Sequence, residues 1–281
     1  MLPATHRRVP RERTVSDPTP VAAVIDDLHH DSEELDQLVA DLDDTHWARD
    51  TPAPRWTIAH QIAHLTWTDR AALLAVTDTD AFADEVTKAL AAPDTFVDQG
   101  ADEGATQPPA HLLTAWRTGR TALENALRAA PPGTRFPWYG PPMSVASMAT
   151  GRLMETWAHG QDIADTLGVR RQPTDRLRHV ARIGVRARDF AFAVRGLPAP
   201  TEEFRVELQS PTGDLWTHGP ADAPQRVTGP ALDFCLLVTQ RAHRTDLAVH
   251  AQGPDADHWL DIAQAFAGPP GPGRRPEETH R

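Results

Sequence analysis

The chain is short of several residue types, and each shortage closes off a class of function. Among 281 residues there is one cysteine, Cys235, which excludes an internal disulfide and any Cys-x-x-Cys redox or zinc motif. Its neighbours Phe234, Leu236 and Leu237 mark it as a small core residue rather than a nucleophile. Lys88 is the only lysine, so arginine carries the remaining positive charge, and the formal net charge is -11. Neutralising phosphates needs a basic stripe, and with none before the short Arg-containing tails, general nucleic-acid binding is not expected. No uninterrupted run reaches the ~18 apolar residues of a membrane span, and the N-terminus lacks the apolar core of a signal peptide. The expectation is a cytoplasmic protein without a membrane partner.

A hydrophobic fraction of 40% over 281 residues suits a soluble protein of two domains with a sizeable core. Residues 1–19 are polar, basic and aperiodic, and are expected to form a disordered lead-in. Val24, Ile25, Leu28, Leu35, Leu38, Val39 and Leu42 predict an amphipathic helix over 21–42. A second helix is expected over 56–76, then a looser stretch with Pro93 and Gly100, then a third helix over 111–129. The Pro- and Gly-dense run 131–142 reads as a loop, and a fourth helix opens at Ser144 and ends at Gly168 in the position of a C-terminal cap. Four helices joined by variable loops predict a bundle over 20–168.

The texture then changes. A further Arg-rich helix is expected over 176–194, and Phe204, Val206 and Leu208 alternate as in a half-buried strand. Pro211-Thr212-Gly213 reads as a hairpin turn before Leu215 to His218, and helices over 230–241 and 257–266 flank a short strand over 247–250. Residues 169–268 are therefore expected to form a small α+β domain, with 269–281 as a disordered tail. The fold class that follows is α+β, a helical bundle and then this smaller domain.

Two of the expected helices carry side chains that can hold a metal. His60 and His64 lie on the second, Glu155 and His159 on the fourth. Residues four apart sit about 40° apart around a helix, on one face. Two such faces turned toward each other could supply three nitrogen or oxygen ligands and leave one position open, which is the coordination of a catalytic zinc-type site. Taken alone Glu-x-x-x-His is a weak signal, because such spacings are common on solvated helix faces. Here Leu153, Met154, Trp157, Ile163 and Leu167 surround the pair with apolar surface, and an ionisable group near a core needs a partner.

The run Trp56-Thr57-Ile58-Ala59-His60-Gln61-Ile62-Ala63-His64-Leu65, followed downstream by Glu155-Thr156-Trp157-Ala158-His159-Gly160-Gln161-Asp162, resembles the DinB-like metal-binding bundles of the mycothiol-dependent maleylpyruvate isomerase type and their actinobacterial relatives. The resemblance spans roughly Pro20 to Gly268. It implies a DinB-like four-helix bundle followed by an α+β C-terminal domain, with a divalent metal, zinc by ligand type, held by His64, Glu155 and His159. His60 is then an extra, read as a supporting or surface histidine. Asp162 either orients a ligand or substrate or is a helix-surface carboxylate. Family members bring an arginine from the second domain toward the bundle site, which makes Arg241, with Arg244 behind it, the candidate for a substrate or cofactor contact; a helix C-terminus also favours a positive charge there. Trp138 and Tyr139 either wall a cofactor pocket or pack a stiff loop on the bundle end. His29, His30, His46, His111, His179, His218, His243 and His250 read as surface residues.

The same resemblance implies a low-molecular-weight thiol, mycothiol, as co-substrate, held as its thiolate by the metal and attacking a small electrophile. The first expectation is an S-transferase. The alternative is a cis-trans isomerase of the maleylpyruvate type, which should show several arginines converging on the metal, where only Arg241 and Arg152 can be placed. A third reading is a non-catalytic metal-binding sensor or interaction module, with His60 closing the coordination shell. Oligomeric state is left open.

Overall fold

The computed structural model describes residues 12–15, 19–268, 270–271 and 273–276. The chain divides into two compact units, Thr19–Arg171 and a second built from Met1–Pro18 with Gln172–Arg281. A helical N-terminal region followed by a mixed α/β C-terminal region makes up the fold, as expected, and the sheet has five strands where three were expected. No helix among the described residues is long and apolar enough to cross a membrane.

In the first unit four long helices, α1 (Val21–Val39), α3 (Ile58–Thr77), α6 (Pro109–Ala129) and α7 (Val145–Leu167), form the bundle, with the single turn α2 (Asp44–Trp47) between the first two. Their apolar stripes close two cores, one around Leu35, Ile58, Ile62, Leu112 and Trp116 and one around Ile25, Phe82, Leu123, Leu127 and Met148. Helix α7 starts at Ser144, whose side chain accepts from the Ser147 backbone N–H, and stops at Gly168, left-handed at φ 68°. A C-terminal cap of this kind suits glycine because a Cβ would be strained there.

Polar clamps fix the helix pairs. Asp36 of α1 takes Arg117 of α6 bidentately, Nε to Oδ2 at 2.7 Å and the terminal nitrogen to Oδ1 at 2.5 Å, and also accepts from Arg120 at 3.0 Å. The Arg117 hydrogen bonds hold the Asp36 carboxyl below its ordinary range, against the opposing effect of burial. Between α3 and α7, Arg152 donates to Asp69 at 2.9 Å and to the Thr68 hydroxyl at 2.6 Å, all of them buried. Burial pushes the Asp69 carboxyl up, and the Arg152 charge opposes it.

The stretch between the second and third expected helices is not loose. It forms α4 (Thr79–Ala91) and α5 (Phe96–Ala105). Gly100 and Gly104 allow α5 to lie directly on α3: a Cβ at Gly104 would stand 2.7 Å from the Ala63 Cβ, and one at Gly100 would stand 2.8 Å from the Trp67 ring. Glycines that read as breakers are here the points of close approach. The 131–142 run also differs from a plain loop, since β2 (Arg135–Phe136) pairs antiparallel with β3 (Met143–Ser144) across it.

The second unit carries a sheet in the order β1-β5-β4-β6-β7, built from β1 (Glu12–Thr14), β4 (Phe204–Gln209), β5 (Leu215–His218), β6 (Gln225–Pro230) and β7 (His250–Gln252). Helices α8 (Leu177–Arg186), α9 (Arg188–Ala193), α10 (Ala231–Val238) and α11 (Pro254–Ile262) complete it. The helix expected over 176–194 breaks at Ala187, and the last expected strand lies at 250–252 rather than 247–250. Residues 12–14 of the expected disordered lead-in are an edge strand, parallel to β5 and tied by Arg205 to Glu12 at 3.0 Å; backbone pairing needs no apolar periodicity. The rest of the lead-in that was expected to be disordered, 1–11 and 16–18, lies outside the described residues, as do 269, 272 and 277–281 of the expected tail.

Gly104→Ala is expected to force α5 off α3 and lower stability by ~1–3 kcal/mol; an unchanged denaturant midpoint would contradict the close approach. Asp36→Asn is expected to cost ~2 kcal/mol near neutral pH. Because the native carboxyl is held low, its contribution is complete above the unfolded value of ~3.9 and is lost as pH falls through the native one. A wild-type-to-variant gap that stays constant down to strongly acidic pH would refute the ion clamp.

Candidate metal centre

Helix periodicity brings together the side chains that the sequence singled out. His64 projects from α3, and Glu155 and His159 project from α7 one turn apart. One carboxylate oxygen, Glu155 Oε2, lies 3.2 Å from His64 Nε2 and 3.2 Å from His159 Nε2. The three ligand atoms all fall within 4.8 Å of one another, and the two imidazole centroids are 4.5 Å apart. Both histidines are buried, whereas the Glu155 side chain keeps 21% of its surface accessible. The group is enclosed on the histidine side and open on the carboxylate side.

Burial alone would push the Glu155 carboxyl up. Hydrogen bonds from His159 and His64, with their charge, outweigh it and hold the carboxyl well below its ordinary range. Glu155 is thus an anion at neutral pH, ready to serve as a ligand. His64 Nδ1 is buried without a hydrogen-bond partner, so all the polar engagement of this ring runs through Nε2. Two imidazoles and a carboxylate are the donor set of a three-ligand zinc site. The 3.2 Å separations match the ~3.3 Å expected between two ligands each ~2.0–2.1 Å from a tetrahedral ion. The residues fit a divalent metal.

Indole rings line the group. Trp56 stands 5.2 Å from the His64 ring and is stacked 5.8 Å from His159, while Trp67 lies 6.0 Å from His64. The Trp56 indole N–H donates to Asp98 of α5 at 3.2 Å, so the close packing of α5 also steadies this wall. His60 does not join the converging group. Its Nδ1 accepts from the Thr57 backbone N–H at 3.2 Å, capping α3, and its Nε2 faces Asp102 at 3.4 Å.

The other candidates make contacts of their own. Asp162 is buried on α7, one turn beyond His159, and does not join the converging ligand atoms. Trp138 stacks on Phe82 at 5.6 Å, and Tyr139 packs edge-on against Phe82 and Phe96. Burial, with the Glu85 charge, pushes the Tyr139 hydroxyl up to about 12. Arg241 belongs to the other unit, just past α10, where it donates to the Thr239 carbonyl at 2.6 Å. Arg244 is bound by Asp261 at 2.5 Å and by Asp257. His179 is a correction to the surface reading, since α8 buries it at 2% exposure. Sequence reasoning missed Gln61, whose Oε1 lies 2.5 Å from His159 Nδ1. Its position one turn before His64, on the same helix face, was the available signal.

Residues 28–164 match the family described as the mycothiol maleylpyruvate isomerase N-terminal domain, and residues 200–252 match one described as wyosine base formation. Uncharacterized proteins from two strains of Mycobacterium tuberculosis are 58% identical over 260 residues, covering 92% of this chain and 100% of theirs. The solved structures of a mycothiol-dependent maleylpyruvate isomerase and of a mutant of it superpose with TM-scores of 0.57 and 0.58. They cover 86% of this chain and 98% of theirs at 16% and 14% identity, a likeness of fold.

Natively purified protein is expected to carry about one divalent ion per chain by elemental mass spectrometry, and Glu155→Gln and His159→Ala are each expected to lose it while remaining folded. Wild-type metal content in both variants would place the ion elsewhere.

Proposed function

Because the chain belongs to the family of the mycothiol maleylpyruvate isomerase N-terminal domain, we propose that it is a metal-dependent S-transferase joining a low-molecular-weight thiol, mycothiol, to a small electrophilic substrate. The observation that carries this reading is the three-ligand group closed by histidines on one side and open at Glu155 on the other. A sensor would tend to close the shell with a fourth protein ligand, and His60, the residue best placed in sequence to do so, is committed to Thr57 and Asp102.

A divalent ion on these ligands would hold an incoming thiol as its thiolate at neutral pH, although a free thiol loses its proton only near ~8.5. The chain's own residues account for the rest. Glu155 contributes the negative charge, His64 and His159 contribute neutral nitrogen donors, and Trp56 and Trp67 exclude water from the histidine side. The thiol proton passes to solvent and the thiolate sulfur forms a bond to the electrophilic carbon; either a π bond of that carbon breaks and the displaced electron pair takes a proton from solvent to give the adduct, or a leaving group departs with the bonding pair. Cys235 is unsuited to supply the sulfur, being fully buried, with burial pushing its thiol well above the ordinary range. In this reading Asp162 orients a ligand or substrate, and Arg241, Trp138 and Tyr139 contact the cofactor.

The isomerase reading draws on the name of the family and on the fold likeness. It requires free arginines for a dicarboxylate substrate, and Arg152, the bundle arginine nearest the ligands in sequence, is committed to Asp69 and Thr68. This favours transfer over isomerisation.

The test is thiol consumption by zinc-loaded protein with mycothiol and a panel of electrophiles. His159→Ala is expected to abolish turnover, Cys235→Ser to keep it within about twofold, and Arg241→Ala to raise KM for the thiol. Loss of turnover in Cys235→Ser with metal and fold intact would sink the external-thiol mechanism, and metal binding without thiol consumption would return the sensor reading.

A further inference from the structure

Four hydrogen-bonding groups beside the ligand set leave only one arrangement of protons. The Trp56 carbonyl can only accept, and it accepts from the Thr51 backbone N–H at 2.8 Å and from the Thr51 hydroxyl at 2.7 Å. The hydroxyl has one proton and has spent it there, so toward Gln61, 2.9 Å away, it can only accept. The Gln61 amide nitrogen therefore faces Thr51, which turns Gln61 Oε1 toward His159 Nδ1 at 2.5 Å. An amide oxygen has no proton to give, so Nδ1 carries the hydrogen and donates it. The neutral His159 ring then has its lone pair on Nε2, the atom 3.2 Å from Glu155 Oε2. With the ring neutral two acceptors face each other there, an arrangement that calls for a cation between them, a proton when the ring is charged or a metal ion when it is not.

We infer that Thr51 and Gln61 are positioning residues that lock His159 in the Nδ1–H tautomer and so present Nε2 as a metal ligand. Hydrogen-bond partners of this kind fix ring orientation and raise ligand basicity in metal sites generally. Gln61 is fully buried, so its amide has no water to turn toward. The order of protons stands on the hydrogen bonds alone; its consequence for metal rests on the reading given under Proposed function. The relay also ties the backbone of Trp56, whose ring stacks on His159, to the ligand it covers.

The experiment is nitrogen NMR of histidine-labelled, metal-free protein at a pH where the His159 ring is neutral, the ring assigned by its loss in His159→Ala, together with zinc titration of the same variants. Wild type is expected to show a single Nδ1–H form. Gln61→Leu is expected to show mixed tautomers and ~10- to 100-fold weaker zinc binding, and Gln61→Glu, which keeps an acceptor, to restore both. Thr51→Val is expected to move the same way as Gln61→Leu and Thr51→Ser to behave as wild type, which keeps the test decisive if Gln61→Leu fails to fold. A single Nδ1–H form persisting in Gln61→Leu or Thr51→Val, or zinc affinity unchanged in a variant whose tautomers mix, would overturn the inference. Absence of zinc binding in wild type would remove the metal reading while leaving the tautomer result to judge the relay.

Discussion

Two imidazoles and one carboxylate converge on a single oxygen between α3 and α7, and a cluster of that kind has to be neutralised where it stands. Buried without compensation, such groups would oppose the packing of the helices that carry them. The rest of the N-terminal unit can be understood as keeping these three side chains together. Apolar residues on either side of the ligands exclude water, and the clamps from Asp36 to Arg117 and Arg120 and from Arg152 to Asp69 set how α1 meets α6 and how α3 meets α7. Because Arg152 lies three residues before Glu155, the pair at Asp69 anchors α7 within one turn of the site.

Packing and chemistry are coupled most closely on the α5 side. The glycines of α5 let it settle on Ala63 and the Trp67 ring. From that position Asp98 takes the indole N–H of Trp56, and Asp102 faces His60. The result is a wall of indole rings over both histidines, with the third histidine of the region, His60, directed into a helix cap. What keeps the most exposure in the group is the Glu155 edge, at 21% of its side-chain surface.

Much of this was legible in the chain itself. The bundle helices announced themselves by apolar periodicity, and the Glu155 and His159 spacing, weak by itself, together with the Ala63-His64-Leu65 turn carried the family resemblance that pointed to the candidate ligands. Other features were silent for physical reasons. Helices α4 and α5 bury few apolar residues of their own, Phe82 and Ala101 among them, and depend on glycine contacts that sequence shows only as weakness. Strand β6 alternates poorly because its buried Gln225 is used to cap α11, accepting from the backbone N–H groups of Asp255 and Ala256 at 3.1 and 3.0 Å. Strand β1 is three residues long and held by backbone pairing. Gln61 was silent because an amide reads as neutral polarity until its two neighbours, Thr51 and His159, are seen in space.

The central claim is that His64, Glu155 and His159 hold a metal with one position reserved for an external thiol. X-ray absorption at the zinc edge, on zinc-loaded protein with and without mycothiol, tests it most directly. The account predicts a nitrogen and oxygen shell from the three side chains plus solvent, gaining one sulfur scatterer at ~2.3 Å when the thiol is added. A shell that is already complete with protein ligands, and unchanged by the thiol, would contradict it.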